Sequence, residues 1–183
     1  MNGLELAAGL VSTIDRYFAG ERLEMMAILA GGVVFSVAAG VLWFHSRDAF
    51  ATGLLAVVAL SSLLLCGTAA ALLVRDGPAR ASLIQQVRDG GAAPVAAAES
   101  ARITVVIGKY PLYRTAALLL GLAGLFCAWW RPGGALSGVA TGLLLLAAAQ
   151  SVIDHCSEQR ARSYLASLTS PPLTMTPEPR VLP

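Results

Sequence analysis

Charge is scarce in this chain. Arg and Lys number 13 and Asp and Glu 11, which is 13% of 183 residues, against about a quarter in ordinary soluble domains. A formal net charge of +2 is too small to imply a nucleic-acid partner. Lysine is nearly missing: Lys109 stands beside twelve arginines, and with the abundant Ala and Gly this bias points to a GC-rich bacterial genome. Cysteine is limited to Cys66, Cys127 and Cys156, an odd number at three separate depths, so they read as small hydrophobes and not as a disulfide or metal framework. There is no phosphate loop, because Gly108-Lys109-Tyr110 lacks the preceding glycine spacing. Residues 1–8 contain Glu5 and no basic n-region, which predicts no cleaved signal peptide.

What the chain has instead is long uncharged runs, at 25–44, 49–74, 115–130 and 132–153. Crossing about 30 Å of hydrocarbon takes roughly 20 mainly apolar residues, and a soluble core of this size has no use for four such runs. The third run is short, but Leu112 and Tyr113 extend it past Arg114, whose side chain can snorkel to the surface. The fold expected is therefore all-α: a polytopic membrane protein with four transmembrane helices as two tandem hairpins, forming a four-helix bundle with cytoplasmic amphipathic helices.

Basic residues orient it. Arg16, Arg22, Arg75, Arg80, Arg88, Arg102, Lys109, Arg114, Arg160, Arg162 and Arg180 fall on one side, and only Arg47 and Arg131 on the other. That asymmetry predicts cytoplasmic termini and a cytoplasmic central loop in a bacterial inner membrane. The outward links, at 45–48 and 131–134, are very short, with Trp43, Phe44, Phe50, Trp129 and Trp130 beside them at the headgroup level.

Five segments follow. Residues 1–22 form an N-terminal amphipathic helix with Leu6, Leu10, Val11, Ile14 and Phe18 on one face, lying on the membrane or packed on the cytoplasmic end of the bundle. Residues 23–76 are the first hairpin, with spans at about 25–44 and 50–74. Residues 77–111 are a cytoplasmic loop with two amphipathic helices: Leu83, Ile84 and Val87 share a face of the first, Asp89-Gly90-Gly91 breaks it, and 95–108 reads as the second. Residues 112–168 are the second hairpin, with spans at about 112–130 and 135–154, the last running on as one long helix because 136–168 holds no Pro, and no Gly after Gly142. Residues 169–183 form a Pro-rich tail expected to be disordered. Ala51-Thr52-Gly53-Leu54-Leu55 recurs as Ala140-Thr141-Gly142-Leu143-Leu144, which fits either a tandem duplication or chance in an Ala/Gly/Leu-rich chain.

Two sets of residues are candidates for function. Gly32, Ser36 and Gly40, and likewise Gly134, Gly138 and Gly142, recur every four positions and form small-residue stripes. Such stripes let helix backbones approach closely, either inside the protein or against a partner's helix. Gln150, Asp154, Glu158 and Arg162 share one face of the fourth span at the inner membrane edge, with His155 beside them. They are either a solvated helix exit, in which Glu158 and Arg162 make an ordinary pair, or a polar cluster that meets a partner or an ion.

Neither set suggests an enzyme. Asp154, His155, Cys156 and Glu158 can ligate metal, yet one helix supplies at most two ligands and His45 lies on the opposite side of the membrane. Cys156 or Ser157 with His155 would make a nucleophile and base, but adjacent helical residues do not face each other. No catalytic residue, metal site or cofactor is implied. The architecture is similar to that of small bacterial inner-membrane accessory subunits and of immunity proteins that neutralise membrane-targeting toxins, a likeness that transfers no residue role. The function expected is non-enzymatic binding of a partner protein, a membrane protein or a toxin, in or at the cytoplasmic face of the membrane. The alternative is a small homo-oligomeric channel lined by hydroxyls such as Ser61 and Ser62, or a transporter subunit.

Overall fold

The computed structural model describes residues 3–130 and 132–169, and the Pro-rich segment expected to be disordered lies, past Thr169, outside them. Five helices account for nearly all of these residues, and no strand occurs among them: α1 (Gly3–Ser46), α2 (Ala49–Gly90), α3 (Ala92–Ile107), α4 (Tyr110–Trp130) and α5 (Gly134–Thr169). Four helical stretches, with α3 and α4 counted as one, are long and apolar enough to cross a membrane. Within their most apolar windows only 11–22% of residues are buried by the protein itself, so their apolar side chains face the surroundings. Leu63, Val74, Trp129 and Leu118 are all more than 60% exposed.

The helices are longer than the segments read from the sequence. Of the stretch 1–22, expected as a separate amphipathic helix, residues 3–22 are continuous with the first span in α1, and the second span continues through Pro78 to Gly90 in α2. Pro78 removes one i→i−4 hydrogen bond, but the helix is held beyond it by the packing of Ala79, Leu83 and Ile84 on the core. Gly91 ends α2 with φ 85° and ψ 162°, a conformation open essentially to glycine alone. Pro111 stands in the first turn of α4, where its missing N–H is harmless.

The link between α1 and α2 is tight for clear chemical reasons. Arg47 adopts φ 49° and its N–H bonds the Trp43 carbonyl at 2.9 Å, while its guanidinium lies 5.4 Å from the Trp43 ring. Asp48 then caps α2 by accepting from the Ala51 N–H at 2.7 Å.

α1 packs along α2, α5 along α4, and α2 along α5. The direction of each pairing follows from its contacts. Gly32 meets Cys66, and Asp15 meets Arg80, so α1 and α2 are antiparallel. Gly121 faces Ala147 and Gly124 faces Leu144, so α4 and α5 are antiparallel. Gly138 sits on Phe50 and Gly142 on Val57, so α2 and α5 run parallel. The order across the molecule is α1, α2, α5, α4, and the two outer helices make at most marginal contact. Within the four-helix bundle expected, the helices lie as an open row, because the glycine-lined approach of α2 to α5 takes the centre and holds the outer helices apart.

Both short links lie at one end of this row. At the far end, the helices extend past the apolar windows and enclose a compact core drawn from all five: Ile14, Tyr17, Phe18, Val87, Val95, Ile103, Tyr110, Ala161 and Tyr164. Ile14 and Phe18 come from the amphipathic face read in 1–22, while Leu6 of that same face is 42% exposed.

Candidate functional site

The small-residue stripes are split by the structure. Gly138 and Gly142 are buried against α2: a Cβ on Gly138 would overlap the Phe50 carbonyl, and one on Gly142 would lie 2.7 Å from the Val57 Cβ. Gly32 faces α2 as well, where the Ser62 hydroxyl donates to its carbonyl at 3.3 Å and a Cβ would overlap Cys66. Ser36 is half-buried. A Cβ on Gly40 or Gly134 would meet nothing within 4 Å, and Gly134 instead serves the turn into α5 with φ 63°. Gly53, not singled out from the sequence, is the counterpart of Gly138, since a Cβ there would overlap the Ala135 carbonyl. Its signal was the repeated pentapeptide, whose two glycines, Gly53 and Gly142, both lie in the α2–α5 contact.

The polar residues of α5 divide between two neighbours. Gln150 donates to Asp154 Oδ1 at 2.8 Å, and Asp154 is 5% exposed with its Oδ2 buried and without a hydrogen-bond partner. Glu158 accepts from Arg162 at 2.7 and 2.9 Å along its own helix, and from Arg114 of α4. His155 is exposed and sits 3.0 Å from Gln159, on the rim of this group and not within it. The other side of α5 faces α1, where the Ser157 hydroxyl donates to Glu24 and Arg160 forms an ion pair with the same carboxylate.

A third buried acid was not foreseen. Glu99 is 3% exposed, receives the Arg102 guanidinium at 2.6 and 2.9 Å, and accepts from the Tyr164 hydroxyl at 3.3 Å. The pattern Val95, Glu99, Ile103, at four-residue spacing, placed it on the buried face of α3. Its partner Tyr164 is far away in sequence and could not be read. Tyr164 stacks on Tyr17 with ring centroids 4.2 Å apart, and the Tyr17 hydroxyl donates to Glu21 at 2.8 Å.

Burial sets the electrostatics of this end. It pushes the Tyr17 and Tyr164 phenols far up, helped by Glu21 and Glu99 respectively, and it also raises Tyr110. Burial raises the Glu21 carboxyl against the opposing pull of the Tyr17 hydrogen bond. The hydrogen bond from Arg162, assisted by Arg114, holds Glu158 below the usual carboxylate range. The hydrogen bond that Arg102 donates to Glu99 raises the Arg102 guanidinium.

Chemically, this is a set of occupied ion pairs. Glu24, Glu99 and Glu158 each meet a guanidinium, and each pair joins helices or fixes the core. In the Glu99 and Glu158 pairs the carboxylate is buried and the guanidinium reaches the surface, so removing the arginine leaves an acid with little water and no countercharge. Among the described residues no group of three His, Cys, Asp or Glu is placed to hold a metal ion.

Two grooves stand out on the surface of the described residues. One, of about 330 Å³, lies where α1 and α5 diverge over α2, between Ala27, Gly31, Phe35, Leu145 and Ala149. The other, of about 600 Å³, runs along α4 and α5 between Leu118, Leu122, Leu125 and Leu144, and ends at Arg114 and His155. No protein-family model, curated protein or solved structure matches this chain.

Proposed function

We propose that this is a non-enzymatic, multi-pass protein of a bacterial inner membrane, with both termini cytoplasmic, that binds a partner protein in the membrane or at its cytoplasmic face, as accessory subunits and immunity proteins do. In this reading the two hairpins cross in one orientation, and the five-helix core with its ion pairs stands at the cytoplasmic side as a rigid platform. The basic residues concentrated at that end support the orientation.

The observation that carries the reading is the open row. α1 and α4 do not close on each other, so the α1/α5 groove, floored by Gly32 and Ser62 and walled by small and apolar side chains, is left for another helix. Small side chains admit the close backbone approach by which membrane helices associate. The channel alternative has less support, since the Ser61 and Ser62 hydroxyls donate to the Val57 and Gly32 carbonyls.

The test is capture from mild detergent with tagged wild type and Gly31→Leu. A Cβ on Gly31 meets nothing within 4 Å and Gly31 lines the groove, so the added side chain is directed into it. Wild type is expected to recover one protein in stoichiometric amount, and Gly31→Leu to lose it. Recovery of this chain alone would contradict the proposal, and conductance of the pure protein in planar bilayers would favour the channel.

A further inference from the structure

The groove between α4 and α5 has a different character from that between α1 and α5. Its walls along the span are apolar, with Leu118, Leu122 and Leu125 exposed by 63, 51 and 56%. Its far end is cationic at the surface. Arg114 and Arg162 share the single carboxylate of Glu158, and their side chains are 57% and 64% exposed, whereas that of Glu158 is only 6% exposed. Asp154, the other acid here, is likewise buried beneath. Donors therefore point outward and acceptors inward. Of the five N–H donors of a guanidinium, only one on Arg114 is engaged by Glu158. His155, whose Nε2 lies 3.0 Å from the Gln159 amide, adds an exposed ring to the same end of the groove and leaves its Nδ1 for a ligand.

We propose that this groove binds an anionic glycerophospholipid, with its phosphate on Arg114 and His155 and an acyl chain along Leu118, Leu122 and Leu125. Arg114 opens the apolar stretch of α4, so its guanidinium stands at the depth of lipid phosphates once α4 crosses the bilayer. The planar fork of arginine matches phosphate oxygens bidentately. Basic pockets between spans on the cytoplasmic side are suited to anionic headgroups. A purely apolar occupant would explain the leucines but would leave the outward donors without a role. Glu158 acts here as a positioning residue: it holds Arg114 against α5, over the end of the groove.

Native mass spectrometry of the full chain in mild detergent, with phosphatidylglycerol or phosphatidylcholine of the same chains added, tests this. One surface guanidinium is worth about 1 kcal/mol toward an anionic lipid, which converts to roughly fivefold. Wild type is expected to retain phosphatidylglycerol about that much better. Arg114→Gln is expected to lose the preference. Because that change also frees Glu158, Ala148→Trp provides a second arm: it fills the groove from an exposed position, and retention of the lipid is expected to drop with helix content unchanged. Equal retention of both lipids by wild type, or a folded Arg114→Gln that keeps the preference, would overturn the proposal. So would glycerol phosphate displacing the lipid as well as the intact lipid does, since the chain would then contribute nothing.

Discussion

Single atoms decide much of this structure. The α2–α5 contact has room for hydrogen and not for a methyl group at Gly138. Gly138→Ala is expected to lower stability by about 1–3 kcal/mol through overpacking, and Gly40→Ala, which meets nothing, to leave it unchanged or slightly raised. Thermal denaturation in detergent, followed by circular dichroism, checks both. Titration provides a second test. The Glu158 carboxyl lies below its ordinary value, so its stabilisation is present above about pH 4.3 and is lost as pH falls through the lower folded value. Tyr17, Tyr110 and Tyr164 lie above theirs, so their contribution is full below about pH 10 and is lost as pH rises past it. Tyrosinate absorbance is expected to lag behind that of free tyrosine and then to rise together with loss of the far-end core. Residues of this kind are the hardest to read from sequence. Asp154 and Glu158 could be marked because they share a helix with their neighbours, but Glu24 finds its partners, and Glu99 its Tyr164 hydroxyl, on α5, and Arg114 was read as an orienting charge and a snorkelling side chain, not as a partner of Glu158.

At the scale of elements, legibility followed periodicity and breakers. The unbroken run of α5 to Thr169 was readable because nothing in it stops a helix, and the break at Gly90-Gly91 was readable because glycine pairs end helices. The continuity of α1 was not, because an amphipathic stretch followed by an apolar one reads equally as two helices or one. Nor was the passage of α2 through Pro78, where packing of Ala79, Leu83 and Ile84 on the far-end core overrides a local breaker. The tight exit at Gly91 carries a clear expectation: Gly91→Ala forces a side chain into a glycine-only conformation and is expected to cost about 1–3 kcal/mol. Local hydrogen exchange at the α2–α3 junction is expected to accelerate, while exchange in the four spans stays the same.

For the whole molecule, the number of apolar helices was written in the composition, but their arrangement was not. Glycine stripes announce close approach without naming the neighbour, and the choice of α2 against α5 as the central pair follows from Gly53 and Gly138, which lie on different helices. The open row, and hence the two grooves, depends on that choice. So do the two proposals, of a protein partner on the α1/α5 side and a lipid on the α4/α5 side. Everything rests on hydrocarbon being the medium around the exposed Leu, Val, Phe and Trp side chains of the four apolar stretches. Partition of the untagged chain after an alkaline carbonate wash tests this most directly. The account predicts that it stays with the membrane pellet and is released only by detergent; a monodisperse protein in the aqueous supernatant, free of any amphiphile, would contradict it.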